Sequence, residues 1–202
     1  MKFNASLTQP EIFFDEKGQP LEVDMMNQES FNLIYDSPDH DFRILFKSFK
    51  QTLLYSVIVL PKEGHSFNDV LENFNITELL IYFKYSSMKY VQLKLPKFQI
   101  FRQNDLVKTL MFYGITDIFD PNLSDFRRMT NHTVYIGNLI HITNIVIDEF
   151  GIRGAESPST MDEEAVSQLY EFYVTRPFLF FVYSPLETLV FFSAIVTNPS
   201  SG

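Results

Sequence analysis

The sequence predicts an α+β domain built mostly from antiparallel sheet, and three observations support that prediction. Apolar runs of strand length recur along the chain, separated by turn-forming Pro, Gly, Asp and Asn residues. Aromatic residues, which favour sheet, are abundant, with 22 Phe and 10 Tyr. Only a few short segments show the spacing of an amphipathic helix. With 202 residues and 46% hydrophobic content, the chain can form one packed core, and no composition shift divides it.

The strand predictions follow from apolar runs bounded by turn residues. Short apolar segments at 11–14 and 21–26 flank a turn-rich linker at 15–20. The run at 52–60 is predicted to be buried on both faces, whereas the alternation at 91–95 indicates a half-buried strand. Pro96 favours a bent or edge position for residues 97–100. The predicted strands are 31–35, 42–46, 52–60, 91–95, 139–147, 176–183 and 188–196.

Three short helices are predicted between the strands. Ser66 is placed as the N-cap of the first, with Asp69 at the distance of a capping box. A second covers 77–83. The third covers 105–114, with apolar positions at 106, 107, 110 and 111 and with Gly114 as its C-cap.

Composition excludes several classes of function. The net charge of −9 argues against a nucleic-acid interface. The absence of Cys excludes disulfides, thiolate metal sites and a Cys nucleophile. No apolar run reaches the length of a membrane span, and the first residues lack the apolar core of a signal peptide. Four sequons nevertheless support secretory ancestry, and these candidate glycosylation sites are Asn4, Asn75, Asn122 and Asn131.

A long segment without a core pattern lies between two strongly apolar strands. The first strand ends at Asp148, and the second opens at Arg176-Pro177. About two dozen residues separate them, and long loops of this kind inside compact domains are usually functional. We therefore expect a long exposed loop that matters for function.

Several motifs, taken in order, resemble the serpin family. They are Val23-Asp24-Met25-Met26, Val59-Leu60-Pro61-Lys62-Glu63-Gly64, Leu95-Pro96-Lys97-Phe98, residues 114–121 (Gly-Ile-Thr-Asp-Ile-Phe-Asp-Pro), Ser124-Asp125-Phe126, residues 176–181 (Arg-Pro-Phe-Leu-Phe-Phe) and Asn198-Pro199. The chain is similar to the C-terminal half of an extracellular serpin of the antitrypsin-like or hormone-carrier type. The resemblance implies a truncated serpin-like fold, in which residues 1–202 form a partial serpin domain without the N-terminal helical half. What remains resembles the barrel-like pair of sheets and two strands of the main sheet.

The resemblance makes the long loop equivalent to the reactive loop of serpins. After cleavage, that loop inserts into the main sheet and traps the protease. Insertion needs a hinge of small neutral residues, and this chain keeps only the start of the family pattern, at Glu149 and Gly151. Ile152 and Arg153 replace Thr and Glu, Gly154 and Ala155 are small, and Glu156 and Pro158 then interrupt the small-residue run. Loop spacing puts the scissile bond at Ala165-Val166 or Val166-Ser167, where small apolar residues suit an elastase-like protease; alternatively, these residues are an unselected loop tip.

The disrupted hinge favours a serpin-like secreted protein that does not inhibit proteases. One alternative is a serine protease inhibitor with its reactive bond near Val166-Ser167. Others are a binder of a small hydrophobic ligand or hormone, and an unstable truncated product with an exposed sheet edge. No residue pattern indicates an enzyme, a cofactor, a metal site or a membrane partner. By resemblance, the expected location is extracellular.

The four histidines carry no metal-ligand spacing. By resemblance, His141 lies at the position of a main-sheet histidine, and we expect a core or edge residue there. His40, His65 and His132 are expected at the surface.

Overall fold

The computed structural model describes residues 3–49, 53–150 and 169–200, and the chain divides into two compact units. The larger unit is Met1–Gln99 with Val146–Gly202, and the smaller is Ile100–Ile145. Within the described residues the strands are β1 (Gln9–Phe14), β2 (Pro20–Tyr35), β3 (Phe42–Ser48), β4 (Tyr55–Pro61), β5 (Ser87–Pro96), β6 (Phe98–Asp105), β7 (Ile140–Ile147), β8 (Tyr170–Tyr173), β9 (Phe178–Ser184) and β10 (Leu189–Val196). The α-helices are α1 (Phe67–Asn73), α2 (Leu79–Lys84) and α3 (Val107–Phe112), and short 3₁₀ helices cover Ala5–Leu7, Ile76–Glu78 and Asp117–Phe119.

Eight of these strands form one large sheet. Its order is β10-β9-β4-β3-β2-β5-β8, and β1 pairs with the first part of β2. All neighbours are antiparallel except β8, which runs parallel to β5. Strands β6 and β7 form a separate two-stranded sheet. The prediction of a fold made mostly of sheet with a few short helices is therefore confirmed.

Strand β2 is longer than the sequence pattern suggests. The apolar segments 21–26 and 31–35 belong to one continuous 16-residue strand. The polar residues between them, such as Gln28 and Glu29, stay in register with Leu93 and Gln92 of β5. Backbone pairing carries the strand through this polar stretch, although side-chain hydrophobicity alone indicated a break. Along its length β2 pairs first with β1, then with β5 and finally with β3. It therefore joins the β5–β8 part of the large sheet to the part made of β3, β4, β9 and β10.

Helices α1 and α2 contribute to an aromatic core on one side of the large sheet. Tyr82 of α2 is buried, and its ring lies 5.0 Å from that of Tyr35 and 5.7 Å from that of Phe42. Phe74 connects this cluster to Phe181 of β9, with ring centroids 5.5 Å apart. The edge-to-face and tilted contacts are typical of well-packed aromatic cores.

Helix α1 begins as the sequence predicts. The Ser66 hydroxyl accepts a hydrogen bond from the Asp69 backbone N–H, and the Asp69 carboxylate accepts one from the Ser66 backbone N–H. This is a complete capping box, with Asp in place of the more usual Glu.

Helix α3 in the smaller unit is shorter than predicted and contains no buried residue. Of the predicted apolar stripe, Met111 is exposed, so the stripe does not build a core within the described residues. Gly114 follows the helix with φ +84°, a left-handed conformation that a Cβ disfavours, which agrees with its predicted role in ending the helix.

Candidate functional site

The candidate site is the segment between β7 and β8 together with the described residues that hold its two ends. The reactive-bond candidates Ala165, Val166 and Ser167 lie outside the described residues. So do the hinge residues Gly151, Ile152, Arg153, Gly154, Ala155, Glu156 and Pro158, and with them most of the expected long loop. Of the predicted hinge, the structure describes Glu149, which lies directly after β7.

Glu149 is fixed at both its side chain and its backbone. Its carboxylate lies 2.7 Å from the Nζ of Lys97, and its carbonyl accepts a hydrogen bond of 2.8 Å from the Phe3 N–H. The neighbouring Asp148 carboxylate accepts a hydrogen bond from the Phe150 N–H at 2.9 Å. We call residues 148–150 the entry turn, and these contacts hold it on the N-terminal segment and on the residue that follows β5.

Electrostatics favour the ionised form of Glu149. Burial raises the pKa of its carboxyl, but the hydrogen bond from Lys97, a hydrogen bond from its own backbone and the charge of Lys97 outweigh that effect and leave the pKa below its usual range. The Glu149 carboxylate in turn raises the pKa of Lys97. Lys97 also lies 3.6 Å from Asp24 Oδ2, and its backbone N–H donates to the Asp24 carbonyl. One lysine therefore connects the entry turn to β2.

At the other end, the segment leads into β8. Residues Tyr170–Tyr173 pair in parallel with Val91–Lys94 of β5, and the Val174 N–H extends the pairing to the Lys94 carbonyl at 2.9 Å. Phe172 and Val174 are fully buried. The prediction that these residues belong to a stretch without a core pattern is wrong. The alternation of Tyr170, Phe172 and Val174 with polar or half-buried neighbours is a period-2 signal that identifies such a strand.

The side chain of Arg43, on β3, contacts β8, although β2 and β5 lie between these two strands in the sheet order. Its Nη1 donates to the Glu171 carbonyl at 2.8 Å, and its guanidinium carbon lies 4.9 Å from the Phe172 ring centroid and 5.7 Å from that of Tyr170. This arrangement combines a charged hydrogen bond with cation–π contacts.

Besides Arg43, the charged side chains of Asp36 and Lys89 contact Tyr170. Its hydroxyl donates to Asp36 Oδ2 at 2.5 Å, and the Nζ of Lys89 lies 4.4 Å from its ring centroid. Asp36 also forms an ion pair of 2.9 Å with Lys62. Burial, followed by the hydrogen bond to Asp36, raises the pKa of the Tyr170 hydroxyl to about 12. This end of the segment is therefore fixed by a network rather than by a single contact.

Two of the sequence motifs meet beside β8. Arg176 Nη2 donates to the Pro61 carbonyl at 2.6 Å, which joins the Arg-Pro-Phe motif to the Leu-Pro turn. The Phe14 N–H donates to the Thr175 carbonyl at 2.8 Å. These bonds fix the chain direction from β8 into β9.

All four sequon asparagines are exposed. The Asn4 side chain caps the 3₁₀ helix Ala5–Leu7 by accepting from the Ser6 N–H, and Asn75 caps Ile76–Glu78 by accepting from the Thr77 N–H. Exposure satisfies a requirement for glycan attachment, and the attachment itself stays a prediction.

The histidines do not form a site in the described part of the chain. His40 was expected at the surface and is partly exposed: its ring stacks on Phe42 with centroids 4.9 Å apart, and its Nδ1 lies 2.8 Å from the Tyr35 hydroxyl oxygen. His65 contacts Asp41 at 3.3 Å, and His132 and His141 are exposed. No group of three or more potential metal ligands occurs within residues 3–49, 53–150 and 169–200. In the same ranges, no helix is long and apolar enough to cross a bilayer.

Comparison with known proteins decides the family. The family described as "Serpin (serine protease inhibitor)" matches residues 1–199. The chain belongs to the serpin family. This confirms the resemblance drawn from the sequence motifs.

Similar proteins include sequences and solved structures. Bovine alpha-2-antiplasmin is 27% identical over 206 residues, covering all of this chain and 40% of the relative. The structure of a serpin from the trematode Schistosoma haematobium has a TM-score of 0.82 at 32% identity, covering 98% of this chain and 53% of the other. Human thyroxine-binding globulin complexed with thyroxine matches in fold, with a TM-score of 0.81 at 23% identity, covering 99% of this chain and 53% of that chain.

This sequence spans about half or less of the length of these serpins. The chain spans 40% of bovine alpha-2-antiplasmin and 53% of the trematode serpin.

Proposed function

We propose that this serpin is a non-inhibitory member of its family, whose 151–168 segment is cut by proteases as a substrate without trapping them. We further propose that residues 1–202 act as one partial serpin domain and that the protein is extracellular. The four exposed sequons support the extracellular location. The main support for the absence of inhibition is the hinge sequence after the entry turn, residues 151–158.

The hinge opposes insertion as a strand. If the segment after Gly151 added beside β7, alternate residues would share a face, which places Ile152, Gly154, Glu156 and Pro158 inward in the family register. Burying a polar group without a partner costs about 2–7 kcal/mol, and an ionised Glu156 costs more. Pro158 lacks the N–H that a central strand needs.

The entry turn adds a second obstacle. Strand insertion would have to begin at Glu149, whose carboxylate and carbonyl are already bound to Lys97 and to the Phe3 N–H. At the far end, β8 is paired with β5 and clamped by Arg43. Insertion would strain or break the Glu149 contacts, whereas β8 lies beyond a cut within 151–168 and can stay in place.

The effect of cleavage on thermal stability tests this proposal. The full chain is cut with pancreatic elastase or with trypsin, the cut sites are mapped by mass spectrometry, and melting is followed by circular dichroism. We expect cleavage within 151–168 and an unchanged melting midpoint, because no new strand forms. A large rise in the midpoint after cleavage would show insertion and overturn the proposal.

A further inference from the structure

Strand β2 has a gap in its pairing along one edge. At Met25 the strand pairs with β1 and β5 at once, so these two strands lie on opposite edges of β2. At Leu33 it pairs with β3 and β5 at once, so β3 also lies opposite β5. Strands β1 and β3 therefore share one edge of β2, and no described strand pairs with that edge between residues 26 and 32.

The register of β2 on β5 determines which backbone groups face this gap. The Lys97 N–H donates to the Asp24 carbonyl at 2.8 Å, so these two residues form a hydrogen-bonded pair. Such pairs alternate with non-hydrogen-bonded pairs along an antiparallel ladder, and β2 and β5 stay in register over residues 25–34 without a shift. Even-numbered residues of β2 thus bond to β5, and the N–H and C=O groups of Asn27 and Glu29 point into the gap. Outside the strand ladders, no backbone–backbone hydrogen bond of the described residues involves either of them.

A groove of about 780 Å³ follows this edge of β2. Three consecutive residues of the strand line it, namely Asn27, Gln28 and Glu29. Because side chains alternate between the two faces of a strand, three consecutive residues are expected to line a groove that runs along an edge. The N-terminal segment forms one wall of the groove, where the Asn27 amide donates to the Leu7 carbonyl at 3.0 Å. The exposed ring of Phe150 adds an apolar wall.

The lining of the groove is acidic. Its described residues include Glu29 and Glu149 and neither lysine nor arginine. Glu149 pairs with Lys97 at 2.7 Å, whereas Glu29 accepts hydrogen bonds from two neutral groups, the Tyr90 hydroxyl and the Gln92 amide. In the described part of the chain, no cationic side chain lies within ion-pair distance of Glu29. A partner with a basic side chain would therefore complement this groove.

We propose that this open edge of β2 binds an extended peptide that carries a basic side chain. The peptide adds antiparallel to β2 between β1 and β3, both of which also run antiparallel to β2. Its backbone bonds to Asn27 and Glu29, and its basic side chain pairs with the Glu29 carboxylate. Unpaired strand edges bind other chains in this way. Strands β6 and β7 form a separate sheet, so this binding does not depend on how the 151–168 segment responds to proteases.

Binding of the peptide Val-Thr-Lys-Thr-Val, acetylated and amidated at its ends, tests the strand addition. We expect saturable binding to the full chain by calorimetry at pH 7. The peptide residue opposite Glu29 turns its own N–H towards β2, so N-methylation of the peptide lysine should weaken binding about tenfold, through a lost hydrogen bond and a methyl group against the strand. The matched control is N-methylation of a peptide threonine, whose N–H points away and whose change should leave the affinity within about twofold. Equal effects of the two modifications, or no saturable binding, would overturn the proposal.

Paired substitutions test the contact with Glu29. Norleucine in place of the peptide lysine, or Glu29→Gln in the chain, should each weaken binding about threefold, and both together should weaken it no more than either alone. Glu72→Gln is the matched control, because Glu72 is exposed on α1 and does not line the groove. Losses that simply add, or an equal loss in Glu72→Gln, would contradict the assigned pair. A dimer of the free chain that the peptide dissociates would show that a second copy occupies the edge, and would overturn the choice of partner.

Discussion

The Nζ of Lys97 lies 2.7 Å from Oε1 of Glu149, at the point where β7 leads into the 151–168 segment. Lys97 directly follows β5, and β5 also carries β8 at the other end of the segment. Strand β5 therefore supports both ends of the 151–168 segment, the first through Lys97 and the second through β8. The stability of one end can be compared with that of the other in the same variant.

Lys97→Met should loosen the entry turn. The Glu149 side chain keeps 11% of its exposure and that of Lys97 33%, so the pair is partly screened, and we expect a loss of about 1 kcal/mol in the free energy of unfolding. Urea unfolding measures this loss, and hydrogen exchange should show faster opening at residues 148–150. Lys108→Met serves as the control. Equal effects of the two substitutions would mean that the Glu149 contact does not stabilise the turn.

Arg43→Met should free β8 while leaving β9 in place. The substitution removes the hydrogen bond to the Glu171 carbonyl and the contacts with two aromatic rings, together about 1–3 kcal/mol. Amide exchange at Tyr170–Tyr173 should accelerate more than at Phe178–Ser184. Arg127→Met is the matched control, because Arg127 is exposed and its ion pair with Asp125 lies on the surface. If exchange in β8 does not change, Arg43 is not the clamp.

Stability should increase with pH between about pH 8 and 10.5 through Lys47. The folded pKa is lowered to about 8 from 10.5, so in this window the unfolded chain binds more protons than the folded chain. The free energy of unfolding then rises with pH, by up to about 3 kcal/mol from this one group. The unfolding free energy of the wild type is compared with that of Lys47→Met at each pH. The wild-type value minus the variant value should rise as pH rises, because only the wild type carries the lysine. A difference that is constant with pH would contradict the lowered pKa.

Ser66→Ala should destabilise helix α1 by about 1 kcal/mol, because the Asp69 N–H loses its acceptor. Thermal unfolding measures the change. Ser66→Asp provides the comparison, since Asp also caps helices and should recover most of the loss. No recovery in that variant would indicate that the hydroxyl acts through contacts other than the cap.

Much of the fold could be predicted because local patterns and the backbone agree. The continuous apolar run around Val57 and Ile58 gave the buried strand β4, and the Ser66–Asp69 spacing gave the cap of α1. Other features depend on distant partners. Strand β8 has only four residues and gains its place from parallel pairing with β5, about 80 residues away in sequence.

The local sequence pattern could not predict which polar side chains pack inside the fold. The apolar run of β3 indicates an end at Phe46, yet pairing with Ser56 carries the strand through Lys47 and buries its amine. His40 lacks any motif, and its packing follows from Tyr35, Phe42 and Tyr82 meeting around it. Neighbours from other strands or helices bury Lys47 and partly bury His40, and their packing outweighs the polarity of the residue itself.

A protease-trapping assay tests the central claim most directly. The full chain is mixed with an equimolar amount of pancreatic elastase, and the products are separated on a denaturing gel while residual elastase activity is measured. We expect cleavage of the chain within 151–168, full elastase activity, and no denaturant-stable band at the summed mass of chain and protease. A covalent band at that mass, with matching loss of elastase activity, would show that the chain is a working inhibitor and overturn the proposed function.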